Sequence, residues 1–333
     1  MFEALNTPEI SRLALVIGTF AAVTYKNISG VNPGGVIVPG LIIILFLISP
    51  IWCISILALA FIVYFIYERF LEKTSYKRRT PMYILSTISL AIANLVALVY
   101  VQLGWLVPSL DNLSGTLLPA VIAFTFTKQK MRKVVKGIAV TTLATAFSLA
   151  IVYLIGSYLL NINFDTLRPL YAGKETLEFK FPLIQFYIAL AVGYLFYRYK
   201  GVRSGGYMVA PVAAALLVYP LSAVIFLLGC FVVYLITQSL CEVTLTIGLN
   251  RYALALFLST MFVWSTEIIF LNLDSTILPF KGSNLFVIVA MMSYVNDGIL
   301  YAKKQIFIYM LATVAVAIVT YLFTKELSTV VLS

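Results

Sequence analysis

The feature that most constrains this chain is the length of its apolar runs. Runs such as 41–65, 83–107, 140–160 and 252–271 contain almost no charged residue. Each of them reaches or approaches the ~20 residues that a helix needs to cross a bilayer. In the whole chain 62% of the residues are hydrophobic and 11% are charged, whereas a soluble domain carries about a quarter charged residues. The sequence therefore predicts an all-α, polytopic transmembrane helical bundle.

Twelve apolar segments alternate along the chain, and the basic residues between them predict the orientation. Short loops rich in Lys and Arg stay in the cytoplasm, and placing the basic clusters there puts 17 of the 23 basic residues inside and both termini outside. The segments are 10–25, 34–49, 51–67, 82–106, 115–127, 137–160, 182–197, 205–219, 221–238, 252–273, 284–296 and 305–323. Segments 34–49, 115–127, 205–219 and 284–296 are too short to cross straight, so we expect broken or re-entrant helices and about 8 to 12 membrane segments.

The same charge bias accounts for most of the net charge of +10, so the basic composition predicts no nucleic-acid partner. The first twelve residues, MFEALNTPEISR, lack the basic start, short apolar core and small-residue cleavage site of a signal peptide. We therefore expect the first apolar run to be a retained helix.

Two stretches rich in Gly and Pro interrupt this apolar background: GVNPGGVIVPG at 30–40 and GVRSGGYMVAP at 201–211. Breaking a membrane helix frees backbone N–H and C=O groups, which is tolerated only where they line a cavity or are buried in protein. The two interpretations are close helix packing through small residues and a polar substrate path. The candidate residues are Gly30, Pro33, Gly34, Gly35, Pro39, Gly40, Gly205, Gly206 and Pro211, with Pro119 later in the first half.

These two stretches also indicate an internal repeat. Gly34–Gly35 and Gly205–Gly206 lie 171 residues apart, and later matches keep their order with offsets of 167 to 173 residues. One of them sets VIAFTFTKQK at 121–130 opposite IVAMMSYVND at 288–297. We expect a first membrane repeat over 1–165, an extracytoplasmic loop over 166–181 and a second membrane repeat over 182–333, with the two halves parallel and pseudo-symmetric.

Few side chains are available for chemistry. The chain has no histidine, which excludes His-based acid–base catalysis, HExxH zinc sites and His proton relays. The three cysteines are not spaced like zinc ligands or a disulfide framework, and neither GxxxxGK[ST] nor GxSxG occurs. We therefore predict no catalytic residue, no metal site and no cofactor.

The most deeply placed carboxylate is Glu267, about 15 residues into segment 252–273. A carboxylate inside a membrane is costly and by default indicates function, although a protonated or snorkelling structural group is the alternative. Asn296 and Asp297 close a short segment, where we expect a solvated helix end.

The basic turn after segment 115–127 contains Lys128, Lys130 and Arg132. Such loops chiefly fix topology. They also attract anionic lipids or an acidic partner, and at this position they would attract a polyanion at its entrance.

The stretch GVNPGGVIVPG resembles the early signature of the CapC/PgsC membrane subunits of poly-γ-glutamate capsule synthases, roughly G-[IL]-x-P-x-G-[LV]-V-V-P-G. The matching residues are Gly30, Pro33, Gly35, Val38, Pro39 and Gly40. The stretch LPAVIAFTFTKQK resembles a later signature of the same family, with matches at Pro119, Ile122, Ala123, Lys128 and Gln129. The first half of the chain covers the resemblance, and the second half looks like a diverged copy.

This resemblance implies a non-catalytic subunit of the bacterial inner membrane. Its implied partners are a cytoplasmic Mur-ligase-like, ATP-dependent amide ligase and a third, mostly extracytoplasmic capsule subunit. The implied tasks are anchoring the ligase and passing the anionic polymer through the membrane. Two alternatives stand beside it: a secondary transporter for a small anionic substrate, and a scaffold that binds partners and conducts nothing.

Overall fold

The structure is a computed structural model that describes residues 8–71, 80–105, 115–162, 164, 180–201, 206–273, 278–299 and 303–332. Every regular element in these ranges is helical, which confirms the all-α prediction. Most of the basic cluster at 69–79, most of the predicted extracytoplasmic loop at 166–181, and Gly205 lie outside the described residues. The chain divides into two compact units, Met1–Pro169 and Leu170–Ser333.

The described part of the first unit contains six α-helices. They are α1 (Pro8–Ser29), α2 (Val38–Ile48), α3 (Pro50–Ile66), α4 (Thr80–Gln102), α5 (Leu118–Phe126) and α6 (Met131–Leu154). Helices α2, α3 and α5 each carry a proline in the first turn, where the missing N–H has no intrahelical partner to lose. The hydroxyl of Ser49 caps α3 by accepting the N–H of Trp52 at 3.3 Å.

Within the first unit, α1 packs against α2 and α6, while α3 and α4 pack against α5. Small residues set the α1–α2 distance. A Cβ added at Gly40 would lie 2.6 Å from the Ala14 carbonyl oxygen, and one added at Gly18 would lie 2.4 Å from the Gly40 nitrogen. The two backbones are therefore in direct contact.

The described part of the second unit also contains six α-helices. They are α7 (Lys180–Lys200), α8 (Gly206–Leu216), α9 (Pro220–Thr244), α10 (Leu249–Leu273), α11 (Asn284–Ile299) and α12 (Lys303–Leu332). Helix α7 packs against α8 and α12, and α9 and α10 pack against α11. Long and short helices thus follow the same order as in the first unit. Helix α11 is central, because 14 of its 16 residues are buried.

Length and apolar composition together distinguish the candidate membrane-spanning helices from the others. Among the described residues, five helices are long and apolar enough to span a membrane: Pro50–Phe70, Pro81–Gln102, Met131–Leu159, Pro220–Thr244 and Leu249–Leu273. By contrast, α2 has 11 residues and α5 has 9. At 1.5 Å per residue these helices measure about 16 and 14 Å, against a hydrocarbon core of about 30 Å. The segments predicted to be too short are therefore short helices.

Candidate functional site

The first Gly/Pro stretch forms a non-helical connection between α1 and α2. Gly30, with φ of 70°, ends α1 by donating its N–H to the Lys26 carbonyl at 2.8 Å. Gly34 and Gly35 follow with φ of 79° and 135°, values that residues with side chains rarely adopt. Helix conformation resumes only at Val38. We call residues 30–37 the broken segment.

Thr125 in α5 and Gln129 in the turn after α5 hold the broken segment through two hydrogen bonds. The backbone N–H of Asn32 donates to Gln129 Oε1 at 3.0 Å. The hydroxyl of Thr125 donates to the Gly34 carbonyl at 3.1 Å. These contacts join residues more than 90 positions apart in the sequence, and they satisfy backbone groups that a broken membrane helix would otherwise leave bare.

Close packing explains why glycines occupy the middle of the broken segment. A Cβ at Gly34 would lie 3.0 Å from Ile138 Cδ1 on α6, and a Cβ at Gly35 would lie 2.9 Å from Val121 Cγ1 on α5. A Cβ at Gly137 would meet the Pro33 backbone at 3.3 Å. The broken segment therefore packs closely against α5 and α6.

Unused backbone donors remain at the start of α2. The first helical hydrogen bond runs from the Leu41 N–H to the Ile37 carbonyl, and no side chain caps the helix. The N–H groups of Gly35, Val36 and Ile37 have no hydrogen-bond partner among the described residues, while Gly35 and Ile37 are half-buried. A helix N-terminus carries partial positive charge, so this arrangement favours a carboxylate or another anion.

The α5–α6 turn beside the broken segment is strongly basic. Lys128, Lys130 and Arg132 are all exposed, and Lys128 Nζ lies 4.3 Å from the Phe124 ring centroid. Lys130 is the N-cap residue of α6 and makes no capping hydrogen bond, and the first turn of α6 has no acidic residue. Cations at a helix N-terminus oppose the helix dipole by about 0.3–1 kcal/mol each. An anion bound at this turn would relieve that repulsion.

The structure places the remaining proline and glycine candidates at helix starts or inside helices. Pro39 and Pro119 lie in the first turns of α2 and α5. Gly40 lies in α2 at the contact with α1. Gly206 opens α8, and Pro211 lies inside that helix, which continues to Leu216. The expected break at Pro211 is therefore wrong, because α8 forms a full turn before this proline and continues beyond it.

Glu267 is buried, with 1% of its surface exposed. It lies on the face of α10 that also buries Val263 and Thr266, far in the sequence from the broken segment. It has an interaction partner in the structure.

The expectation of a solvated helix end at Asn296 and Asp297 is wrong. Their exposed fractions are 1% and 6%, because the last turn of α11 is covered by neighbouring helices. Arg251 donates its Nη2–H and Nε–H to Asn296 Oδ1 at 2.8 and 3.2 Å. The sequence singled out neither Arg251 nor Thr125. Neither has a local signal, since each contact spans 45 residues or more.

The spacing of Ala14, Gly18 and Ala22 did carry a signal that was missed. Small residues repeated every four positions bring membrane helices into close contact, and all three face into the first unit, where Ala14 and Ala22 are 0% exposed.

Comparison with known families supports the resemblance. The family model for capsule biosynthesis CapC matches residues 17–135 and 188–295. The chain belongs to the CapC family. The first matched range includes the broken segment, α5 and the basic turn, and the second includes α8 to α10 and most of α11. Neither a curated protein nor a solved structure matches the chain. Together with its membrane-spanning helices, the match identifies this CapC protein as a multi-pass membrane subunit of capsule synthesis.

Proposed function

We propose that this CapC protein is the non-catalytic membrane subunit of a poly-γ-glutamate-type capsule machinery in the bacterial cytoplasmic membrane. It anchors a cytoplasmic Mur-ligase-like, ATP-dependent amide ligase, works with an extracytoplasmic capsule subunit, and passes the growing polymer outward. The observation that carries the proposal is the clamped, non-helical broken segment beside an exposed basic turn, in a chain of the CapC family.

The chemistry of the broken segment suits a polyanion. Poly-γ-glutamate carries one carboxylate per residue, and each carboxylate loses water on entering a membrane protein. Backbone N–H donors at the start of α2 offer replacement hydrogen bonds without a fixed charge. Weak donors suit transport, because binding has to be favourable enough for the polymer to enter and weak enough for it to leave.

The basic turn supplies the electrostatic attraction at the predicted cytoplasmic end. Lys128, Lys130 and Arg132 are exposed and lie next to Gln129, which contacts the broken segment directly. A cluster of like charges raises the local concentration of an anionic ligand. We therefore assign the entrance of the polymer to this turn.

We further propose that the two units are tandem copies. Each has six helices in the described residues, in the order long, short, long, long, short, long. In each, the first helix packs on the second and the sixth, and the third and fourth pack on the fifth. The conserved helix order and packing support the repeat predicted from the sequence offsets.

A secondary transporter for a small anion is the second candidate. The observation that favours it is Glu267, a carboxylate 1% exposed inside an apolar helix of membrane-spanning length. Such residues frequently carry protons in transporters. Purified protein in liposomes should take up glutamate without the ligase if this candidate is right, and should take up none if the capsule proposal is right.

The charge of the basic turn gives the direct test. In a strain lacking the gene, the wild-type chain should restore poly-γ-glutamate at the cell surface. A triple variant with Lys128→Gln, Lys130→Gln and Arg132→Gln should lower surface polymer, while ligase pull-down and membrane abundance stay normal. The matched control exchanges Lys and Arg at the same three positions, which keeps the charge and should keep the polymer. Normal surface polymer from the Gln variant would contradict the assigned entrance. Absence of poly-γ-glutamate from the strain complemented with the wild-type chain would contradict the proposed polymer.

A further inference from the structure

The two units differ at the very positions that make the site in the first unit. We infer that only the first unit handles the anionic polymer and that the second unit does not form an equivalent site. This inference rests on the proposed function and on the sequence correspondence that sets 121–130 opposite 288–297.

The first difference is the length of the helices. Helix α5 ends at Phe126, whereas α11 runs through the equivalent Ser293 and continues to Ile299, about 9 Å further. At the other short helix, α2 starts at Val38, three residues after Gly35, while α8 starts at Gly206, the counterpart of Gly35 itself. At 206–208 and 294–297 the second unit therefore has helix where the equivalent residues of the first unit, 35–37 and 127–130, are non-helical.

The second difference is the loss of the hydrogen bond that holds the broken segment. The Thr125 hydroxyl donates to the Gly34 carbonyl in the first unit. Its counterpart, Met292, has no hydroxyl and is 5% exposed. The thioether is at most a weak acceptor, so this position in the second unit cannot donate to a backbone carbonyl.

The third difference is charge and exposure at the end of the short helix. Lys128 and Lys130 are exposed cations, but their counterparts are Val295, which is 0% exposed, and Asp297, which is 6% exposed. Exposed cations attract a polyanion, which a buried apolar side chain and a buried carboxyl group do not. The second unit thus lacks exposed cations at the positions equivalent to Lys128 and Lys130.

The fourth difference is the partner of the equivalent amide oxygen. Gln129 Oε1 accepts the backbone N–H of Asn32 in the broken segment. Asn296 Oδ1 instead accepts two N–H groups of Arg251 from the first turn of α10. The equivalent amide thus holds the broken segment in the first unit and joins two helices in the second.

Matched variants at equivalent positions test the inference. Gln129→Leu and Thr125→Val each remove one hydrogen bond to the broken segment, and we expect each to lower surface polymer by about two- to tenfold. Their counterparts, Asn296→Leu and Met292→Leu, should leave surface polymer at the wild-type level per copy of protein in the membrane. Both pairs are measured in the complete capsule system, with surface polymer, cell-associated polymer and membrane abundance read in parallel.

The outcomes separate the inference from the proposed function. Loss of surface polymer with the variants of both units, at normal membrane abundance, would overturn the assignment to the first unit and leave the proposed function standing. Normal polymer with both first-unit variants would overturn the proposed route itself. Since Asn296→Leu removes the acceptor of the half-buried Arg251, Asp297→Asn serves as the second variant in that unit. It keeps the size of the side chain and replaces the carboxyl group with an amide, and a polymer defect at normal abundance would likewise contradict the inference.

Discussion

The contact between α1 and α2 leads to the sharpest stability prediction. In Gly40→Ala the new methyl group would lie 2.6 Å from the Ala14 carbonyl oxygen and 2.7 Å from the Leu15 Cα. Both atoms belong to the α1 backbone, so no side-chain rotation relieves the overlap and the two helices have to separate. Overpacking costs about 1–3 kcal/mol, and we take the upper end because the obstacle is backbone. Alanine regains about 1 kcal/mol of helix propensity, which leaves a net loss of about 2 kcal/mol.

Thermal unfolding of the purified protein in detergent measures this loss. For a unit of this size, 1 kcal/mol corresponds to roughly 2–4 °C, so Gly40→Ala should melt about 4–8 °C below the wild type. Gly229→Ala is the matched control, because its methyl group would approach to 2.4 Å but would meet Met291 Cε and Phe262 Cε1. These atoms are the ends of side chains that can move, so the control should lose less than half as much. Equal melting of Gly40→Ala and the wild type would refute the argument from backbone contact.

Three further predictions concern topology, the broken segment and the buried carboxylate. In a cysteine-free background, a cysteine at position 170 should react with an external thiol reagent and one at position 77 should not, because short basic loops stay inside; the reverse pattern would invert the orientation. Gly35→Val should abolish surface polymer without removing the protein from the membrane, because the φ of 135° and the 2.9 Å approach of a Cβ to Val121 Cγ1 both oppose a side chain. The control, Gly104→Val, has a similarly strained φ of 71° but open space around the Cβ, so it should retain surface polymer. Equal surface polymer from the two variants would show that packing at Gly35 is irrelevant. Glu267→Gln should leave export intact, since the residue lies outside the proposed route, and a loss of export at normal abundance would favour the transporter.

Helix positions could be predicted well because apolar runs are a local property of the sequence. The segment predicted at 284–296 is the helix Asn284–Ile299, and the one predicted at 221–238 is Pro220–Thr244. The ends were underestimated where polar residues continue a helix beyond the apolar run. The start of α2 was placed too early for the opposite reason, since Gly34 and Gly35 leave the helical region.

Contacts between distant residues could not be predicted in the same way. The clamp from Thr125 to Gly34 and the bond from Arg251 to Asn296 each join separate helices, and one sequence contains no signal for such pairings. Burial of Asp297 follows from how α9 and α10 cover α11, so its expected exposure was wrong for the same reason. The Gly/Pro signatures indicated where the backbone breaks, whereas the partners that stabilise the break emerged only from the packing.

Photo-crosslinking at the broken segment tests the central claim most directly. A photoreactive amino acid replaces Ile37, which is half-buried at the start of α2, or Ile54, which is 65% exposed on α3 and should face lipid. Cells that synthesise capsule from radiolabelled glutamate are then irradiated, and the CapC protein is purified under denaturing conditions. The proposed route predicts labelled polymer attached at position 37 and none at position 54, with the signal lost when the ligase gene is deleted. Absence of label at position 37, or equal label at both positions, would contradict the passage of the polymer through the first unit.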